Sequence, residues 1–151
     1  MASHITFRPA KAADIDFIIE ANCVINDISD PGKEAIGLKE RIHADILHDN
    51  PKAYVIIAEM DGTAVGMAMY SFAYFANEGR VMWLSQVYVR QSARKHGVAF
   101  GICKALGKQA AKDGCYAILG GVGDGNVRAK RVYKFAGAKE LGNYKLFCMK
   151  V

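Results

Sequence analysis

Arg94-Lys95-His96-Gly97-Val98-Ala99 decides how this 151-residue chain reads, because one apolar period ends there and another begins. Before it, Val81 to Val89 (VMWLSQVYV) is rich in β-formers. After it, Val98, Ile102, Leu106 and Ala110 recur every fourth residue, and Gly114 stands as a C-terminal stop. The spacing predicts a helix from Gly97 to Lys112, entered from a strand through a basic loop. At a helix start the first N–H groups lack partners and the dipole's positive end faces outward, while a glycine lets a phosphate come close. We expect a pyrophosphate cradle. No G-K-[ST] follows and no G-x-G-x-x-G is present, which sets the loop apart from P-loops and dinucleotide folds. A plain basic loop would carry the same residues.

Upstream, Tyr54 to Met60 and Ala64 to Phe75 flank Asp61-Gly62, a strong hairpin dipeptide, and Asn77-Glu78-Gly79 turns the chain into the Val81 strand. A three-strand antiparallel meander results. Ile5-Thr6-Phe7 reads as an opening strand, and Asp14 as the cap of a helix carrying Ile15, Ile18, Ile19 and Ile25. Pro31-Gly32 breaks that helix, and Leu38, Ile42 and Ile46 mark a second one ending before Asn50-Pro51. Downstream, Tyr116 to Val122 reads as a strand, Val127 to Phe135 as a helix and Tyr144 to Met149 as a closing strand. The order β-α-α-β-β-β-α-β-α-β is an α/β architecture with a mixed sheet. One domain over residues 1–151 suits a chain of this length.

Composition narrows the class. Apolar residues make up 52% and charged ones 23%, outside the disordered, collagenous and coiled-coil ranges. No apolar run approaches the roughly 20 residues of a membrane span, and the opening MASHITFRPAKAADID lacks a signal-peptide core, so a cytoplasmic protein is expected. Cys23, Cys103, Cys115 and Cys148 form no C-x-x-C pair, and His43 and His48 do not share a helix face, so no metal site is expected. The net charge of +5 is unevenly spread. Between Asp14 and Asp49 nine acids face three bases, a balance of −6, so the rest of the chain carries +11. Much of that excess lies in Arg90, Arg94 and Lys95, then in Arg128, Lys130, Arg131 and Lys134. Such asymmetry suits one anionic and one cationic partner.

Two spaced motifs add a resemblance. Val89 to Ala99, with R-x-x-G-x-A, resembles the acyl-CoA loop of the GNAT superfamily of acyl-CoA-dependent N-acyltransferases. Val122-x-x-x-Asn126-x-x-Ala129-x-x-x-Tyr133-x-x-x-Gly137 is similar to that superfamily's downstream pattern. The resemblance implies a GNAT fold and acetyl-CoA as acyl donor. It implies that the backbone of Val87, Tyr88 and Val89 binds the pantetheine arm and acetyl carbonyl, and that Arg94, Lys95, His96, Gly97, Val98 and Ala99 hold the pyrophosphate. Asn126 would contact the cofactor from the other side, and Tyr133 would protonate the departing thiolate. A phenol of reference pKa about 10 suits that task, since a thiol's is about 8.5. Gln91 stands where the family often has proline, and Ser85 and Gln86 where several members carry a glutamate base.

Without that carboxylate, deprotonation of the acceptor falls to ordered water, a backbone carbonyl or an acid such as Glu20. The acidic first two helices would wall the acceptor cleft and attract a cationic amine. Tyr70, Phe72 and Tyr74 alternate on one strand face and could meet a cation, or simply pack. Glu20, Tyr70 and Ser85 are therefore the acceptor-side candidates. The function expected is acetyl transfer from acetyl-CoA to a primary amine by direct attack, since no cysteine lies within the motifs. The alternatives are an acyl-CoA sensor without catalysis and, from the basic runs, a nucleic-acid-binding domain. Neither a nucleic-acid nor a membrane partner is expected. A homodimer is, since many proteins of the fold it resembles pair and Leu146-Phe147-Cys148-Met149 is apolar on both faces, a pattern that a central buried strand within one chain would also give.

Overall fold

The computed structural model describes residues 3–29 and 31–151, leaving aside the side chains of Pro31, Lys33 and Glu34. The shares of Asp30, Lys33 and Glu34 in the acidic stretch thus lie outside the described residues. Five strands pair in the order β1 (Ile5–Pro9), β2 (Tyr54–Met60), β3 (Thr63–Phe75), β4 (Gly79–Val89) and β5 (Ala117–Gly120). The first three pairings are antiparallel and β4 with β5 is parallel, the mixed sheet expected. Four helices accompany it: α1 (Ile15–Ile25), α2 (Pro31–Asp45), α3 (Val98–Lys112) and α4 (Val127–Phe135).

Strand alternation splits the core between the two sheet faces. Val55, Ile57, Met67 and Tyr88 meet Ile15, Phe17, Ile18, Ala21 and Ile42 of α1 and α2. Ala58, Val65, Ala68 and Met82 meet Val98, Ile102, Leu106 and Ala110 of α3. Burying each large aliphatic contributes roughly 1.5–3 kcal/mol. These two seams fix α1, α2 and α3 to the sheet and leave the ends of β4 and β5 to form a site.

Three expectations need correction. Asp14 makes no side-chain cap on α1. Its carboxylate instead accepts from the Lys11 N–H and from Arg8 at 2.7 and 2.9 Å, and Arg8 also binds Glu59. Those hydrogen bonds from Arg8 hold the Asp14 carboxyl below its ordinary pKa. Pro31-Gly32 opens α2 rather than merely ending α1, as proline's fixed φ allows. Finally, no strand follows α4 among the described residues. Tyr144 to Met149 has the composition of a strand, but a strand also needs a ladder, and Leu146, Phe147 and Met149 are 81, 95 and 87% exposed.

Candidate active site

The site begins where the sheet divides. β4 pairs with β5 only from Val81 to Leu84, whereas its pairing with β3 continues to Val89. Gly120 ends the parallel pairing, with so little room that a Cβ there would lie 2.8 Å from the Leu84 carbonyl oxygen. Beyond that point the β5 side of Ser85 to Val89 has no strand partner among the described residues, the opening in which Val87, Tyr88 and Val89 were expected to act. A bulge marks the same place: Met69 faces Gln86 and Tyr70 faces Leu84, so Ser85 is the extra residue. Its hydroxyl donates to the Met69 carbonyl at 3.0 Å.

The loop leaving β4 turns twice through left-handed backbone, at Lys95 (φ 68°) and Gly97 (φ 78°). Gly97 caps α3, and a Cβ built on it meets nothing within 4 Å, so the turn faces open space. The N–H of Gly101 makes the first bond of the helical ladder by donating to the Gly97 carbonyl, which places the N–H groups of Val98, Ala99 and Phe100 ahead of that ladder at the helix start. Arg94 folds back, its Nε donating to the Val89 carbonyl at 3.2 Å. Open donors, a helix N-terminus and two cations suit a pyrophosphate, so these residues fit the group the motif implied.

α4 closes the other side. Phe135 packs edge-on against Phe100 of α3 with ring centroids 5.0 Å apart. Tyr133, on the same helix, is half-buried. Burial, with a smaller contribution from the Cys103 thiol, pushes its phenol pKa up, so it keeps its proton throughout the neutral range. Asn126 caps α4 by accepting from the Ala129 N–H at 3.1 Å. Its cap role was absent from the sequence reading, although Asn is a favoured N-cap. With Arg128 and Arg131 it lines a basic recess.

The α1 side differs from expectation. Glu20 is not a free base, since Arg90 binds both of its carboxylate oxygens, at 2.8 and 2.5 Å, and the Tyr88 hydroxyl donates at 3.2 Å. The Arg90 guanidinium holds the Glu20 carboxyl below its ordinary range, which weakens it as a proton acceptor. Tyr70 faces away from α1 and α2. It is 5% exposed, stacks on Tyr54 at 5.3 Å and meets Phe72 edge-on, all within the α3-side core. Burial pushes its pKa up to about 12. A contact that the sequence did not reveal joins Gln86 to Asn22 of α1, the Gln86 Nε2 donating to the Asn22 Oδ1 at 3.0 Å. Among the described residues no cluster of His, Cys, Asp and Glu could hold a metal ion, and no helix is long and apolar enough to cross a membrane.

Comparison with known proteins bears on the family and the fold. Residues 23–138 match the model of the acetyltransferase (GNAT) family. Thialysine N-epsilon-acetyltransferase of Sus scrofa is 29% identical over 152 residues, covering 93% of this chain and 87% of that protein. The Mus musculus enzyme of that name is 31% identical over 111 residues, 68% of this chain and 65% of its own length. The solved structure of aminoglycoside N-acetyltransferase AAC(6')-Iy in complex with CoA shares the fold, with a TM-score of 0.77 over 100% of this chain and 98% of that one, at 19% identity.

Proposed function

This chain belongs to the acetyltransferase (GNAT) family, and on that premise we propose that it carries an acetyl group from acetyl-CoA to a primary amine of a cationic small molecule or peptide, by direct attack in a ternary complex. The observation that carries this reading is the junction between the unpaired end of β4 and the left-handed turn at Lys95 and Gly97. Bound acetyl-CoA supplies the acetyl group as an activated thioester. Arg94 to Ala99 hold its pyrophosphate, the backbone of Val87 to Val89 its pantetheine arm, and Asn126 lies to the α4 side. Tyr133 delivers its Oη proton to the leaving sulfur, a task supported by its raised pKa.

Neither Ser85 nor Gln86 can act as a base unaided, and Glu20 is engaged by Arg90. The acceptor therefore loses its proton to solvent, directly or through ordered water, before attack. The acids of α1 and α2 draw cationic amines toward that side. The names of the relatives put side-chain amines such as that of thialysine among the acceptors to try first.

A homodimer goes with this reading, since Tyr144, Leu146, Phe147 and Met149 are exposed and the outer edge of β5 has no partner strand among the described residues. Light scattering that finds a monomer at every concentration would end that part. A single domain, a cytoplasmic location and the lack of a nucleic-acid partner complete the proposal. Four unpaired cysteines suit a reducing compartment, and the basic residues gather near the cofactor loop and α4.

The test is thiol release from acetyl-CoA with polyamines, amino acids including thialysine, aminoglycosides and peptide lysines. At least one should be acetylated. Tight acetyl-CoA binding with no turnover on any amine would overturn the reading in favour of a sensor.

A further inference from the structure

Gln86 has a side-chain oxygen, Oε1, that is shut off from water and accepts no hydrogen bond among the described residues. Leaving a buried acceptor without a donor is costly, so its orientation demands a cause. That cause can be followed atom by atom, starting from a group whose polarity is certain. The backbone carbonyl of Asn22 can only accept, and the Asn26 side chain approaches it at 2.8 Å, so the approaching atom is Nδ2. The same Nδ2 lies 3.0 Å from the Asn22 side chain, which must therefore present Oδ1. Asn22 Oδ1 in turn accepts from Gln86 Nε2 at 3.0 Å. Turning the Gln86 amide over would set oxygen against oxygen. Three amides and one carbonyl thus lock Gln86 with its oxygen aimed where no protein donor reaches.

The place matters as much as the lock. Gln86 follows the bulge residue Ser85, in the part of β4 that β5 has left, and it points to the α1 side together with Tyr88 and Arg90. It is uncharged, and the nearby carboxylate of Glu20 is occupied by Arg90 and Tyr88. What this position offers is a neutral acceptor with fixed direction, suited to an N–H donor.

We infer that Gln86 Oε1 takes a hydrogen bond from the N–H of the acceptor amine and so aligns its nitrogen for attack, with Asn22 and Asn26 as positioning residues behind it. The inference rests on the amine-acetylation reading of the same site and names the group that receives the amine. Oε1 is closed to water in this structure, so an incoming amine must displace the groups that cover it. Relief of the orphaned acceptor favours that displacement. Because an amide oxygen does not take a proton at neutral pH, Gln86 orients the amine without deprotonating it.

The experiment compares wild type, Gln86→Leu and Gln86→Glu as whole proteins saturated with CoA, titrated by calorimetry with spermidine, thialysine and neamine. Gln86→Leu should weaken binding of the preferred amine by about 10–100-fold, the range of a hydrogen bond to a charged group, with CoA affinity and the circular dichroism spectrum of the fold unchanged. Gln86→Glu keeps an acceptor oxygen but sets its other oxygen against Asn22 Oδ1, so amine binding should fall clearly less than in Gln86→Leu. The new carboxylate should also start the rise of kcat/KM at lower pH. If Gln86→Leu does not fold, Gln86→Asn withdraws the carbonyl by one methylene and gives the same comparison. Unchanged amine affinity in the variants without the oxygen overturns the inference, as does an equal loss in Leu and Glu variants or a wild type that binds none of the amines. Amine binding without acetyl transfer by wild type would instead overturn the proposed function and leave the Gln86 contact standing.

Discussion

The two halves of the site are built on different principles. On the proposed donor side, the groups offered to an anion are backbone: a strand end, a left-handed turn at Gly97 and the first N–H groups of α3. On the acceptor side the work is done by side chains brought together from distant parts of the chain, Gln86 with Asn22 across 64 residues and Arg90 with Glu20 across 70. A backbone cradle restricts residue type at fixed local spacing, and a few glycines and helix formers reveal it. A cleft of long-range side-chain contacts leaves no such local trace. The donor half should therefore fail all at once when its backbone is blocked, and the acceptor half by degrees.

The largest effect is expected from Gly97→Glu. The new side chain enters the open space of the turn, puts a negative charge before a helix start, and must adopt φ near +78°. Acetyl-CoA binding measured by calorimetry should be lost while circular dichroism keeps the spectrum of the fold. Unchanged affinity in a folded variant would remove this loop as the cradle.

Tyr133→Phe comes next. It keeps the ring and its packing near Cys103 but removes the proton, so kcat should fall by about 10²–10⁴-fold at constant acetyl-CoA affinity. A loss of affinity or melting temperature instead would identify a packing residue. Full activity would leave water as the acid.

Legibility follows the same division. The helix predicted over Val127–Phe135 is α4 to the residue, and the one predicted from Gly97 begins at Val98, because periodicity and stop signals are local. The meander is present for the same reason. Tyr144 to Met149 was misread because alternation and β-formers report a strand's composition but not whether an edge is available to pair with it. Of the two roles left open for Tyr70 the structure favours packing, and the sequence left both open because a strand's period tells which residues share a face but not which helix covers it, here α3. Gln86 looked inert as a missing base. Only the amide chain through Asn22 and Asn26 gives its oxygen a direction.

The pH profile tests the division without any substitution. Arg90 lowers the Glu20 pKa and burial raises that of Tyr133, so both hold one protonation state between about pH 6 and 9. The acceptor amine, with a reference pKa about 10.4 for a lysine-type group, is then the group that titrates. Log kcat/KM should rise by about one unit per pH unit across that window. A plateau starting near pH 7 would mean that the protein supplies a base after all.

The smallest effect is expected from Glu20→Gln, which asks whether the α1 carboxylate belongs to the chemistry or to the scaffold. If it were the base, activity would fall by about 10²-fold or more. Bound at both oxygens by Arg90, it should instead change kcat by less than about threefold. Its signature should lie in stability. A carboxyl whose folded pKa is depressed adds stability above its unfolded pKa, near 4.5, and loses it as pH falls through the lower folded value. Wild type should therefore be more stable than Glu20→Gln at pH 7, and the gap should close on acidification below about pH 4.5. The gap should be about 1 kcal/mol or less, since Arg90 and Glu20 remain 35 and 39% exposed and water screens the pair. Urea unfolding at pH 7 and pH 3 measures it. A gap that widens in acid would reverse the sign of the shift assigned to Glu20 and return it to the candidates for proton transfer.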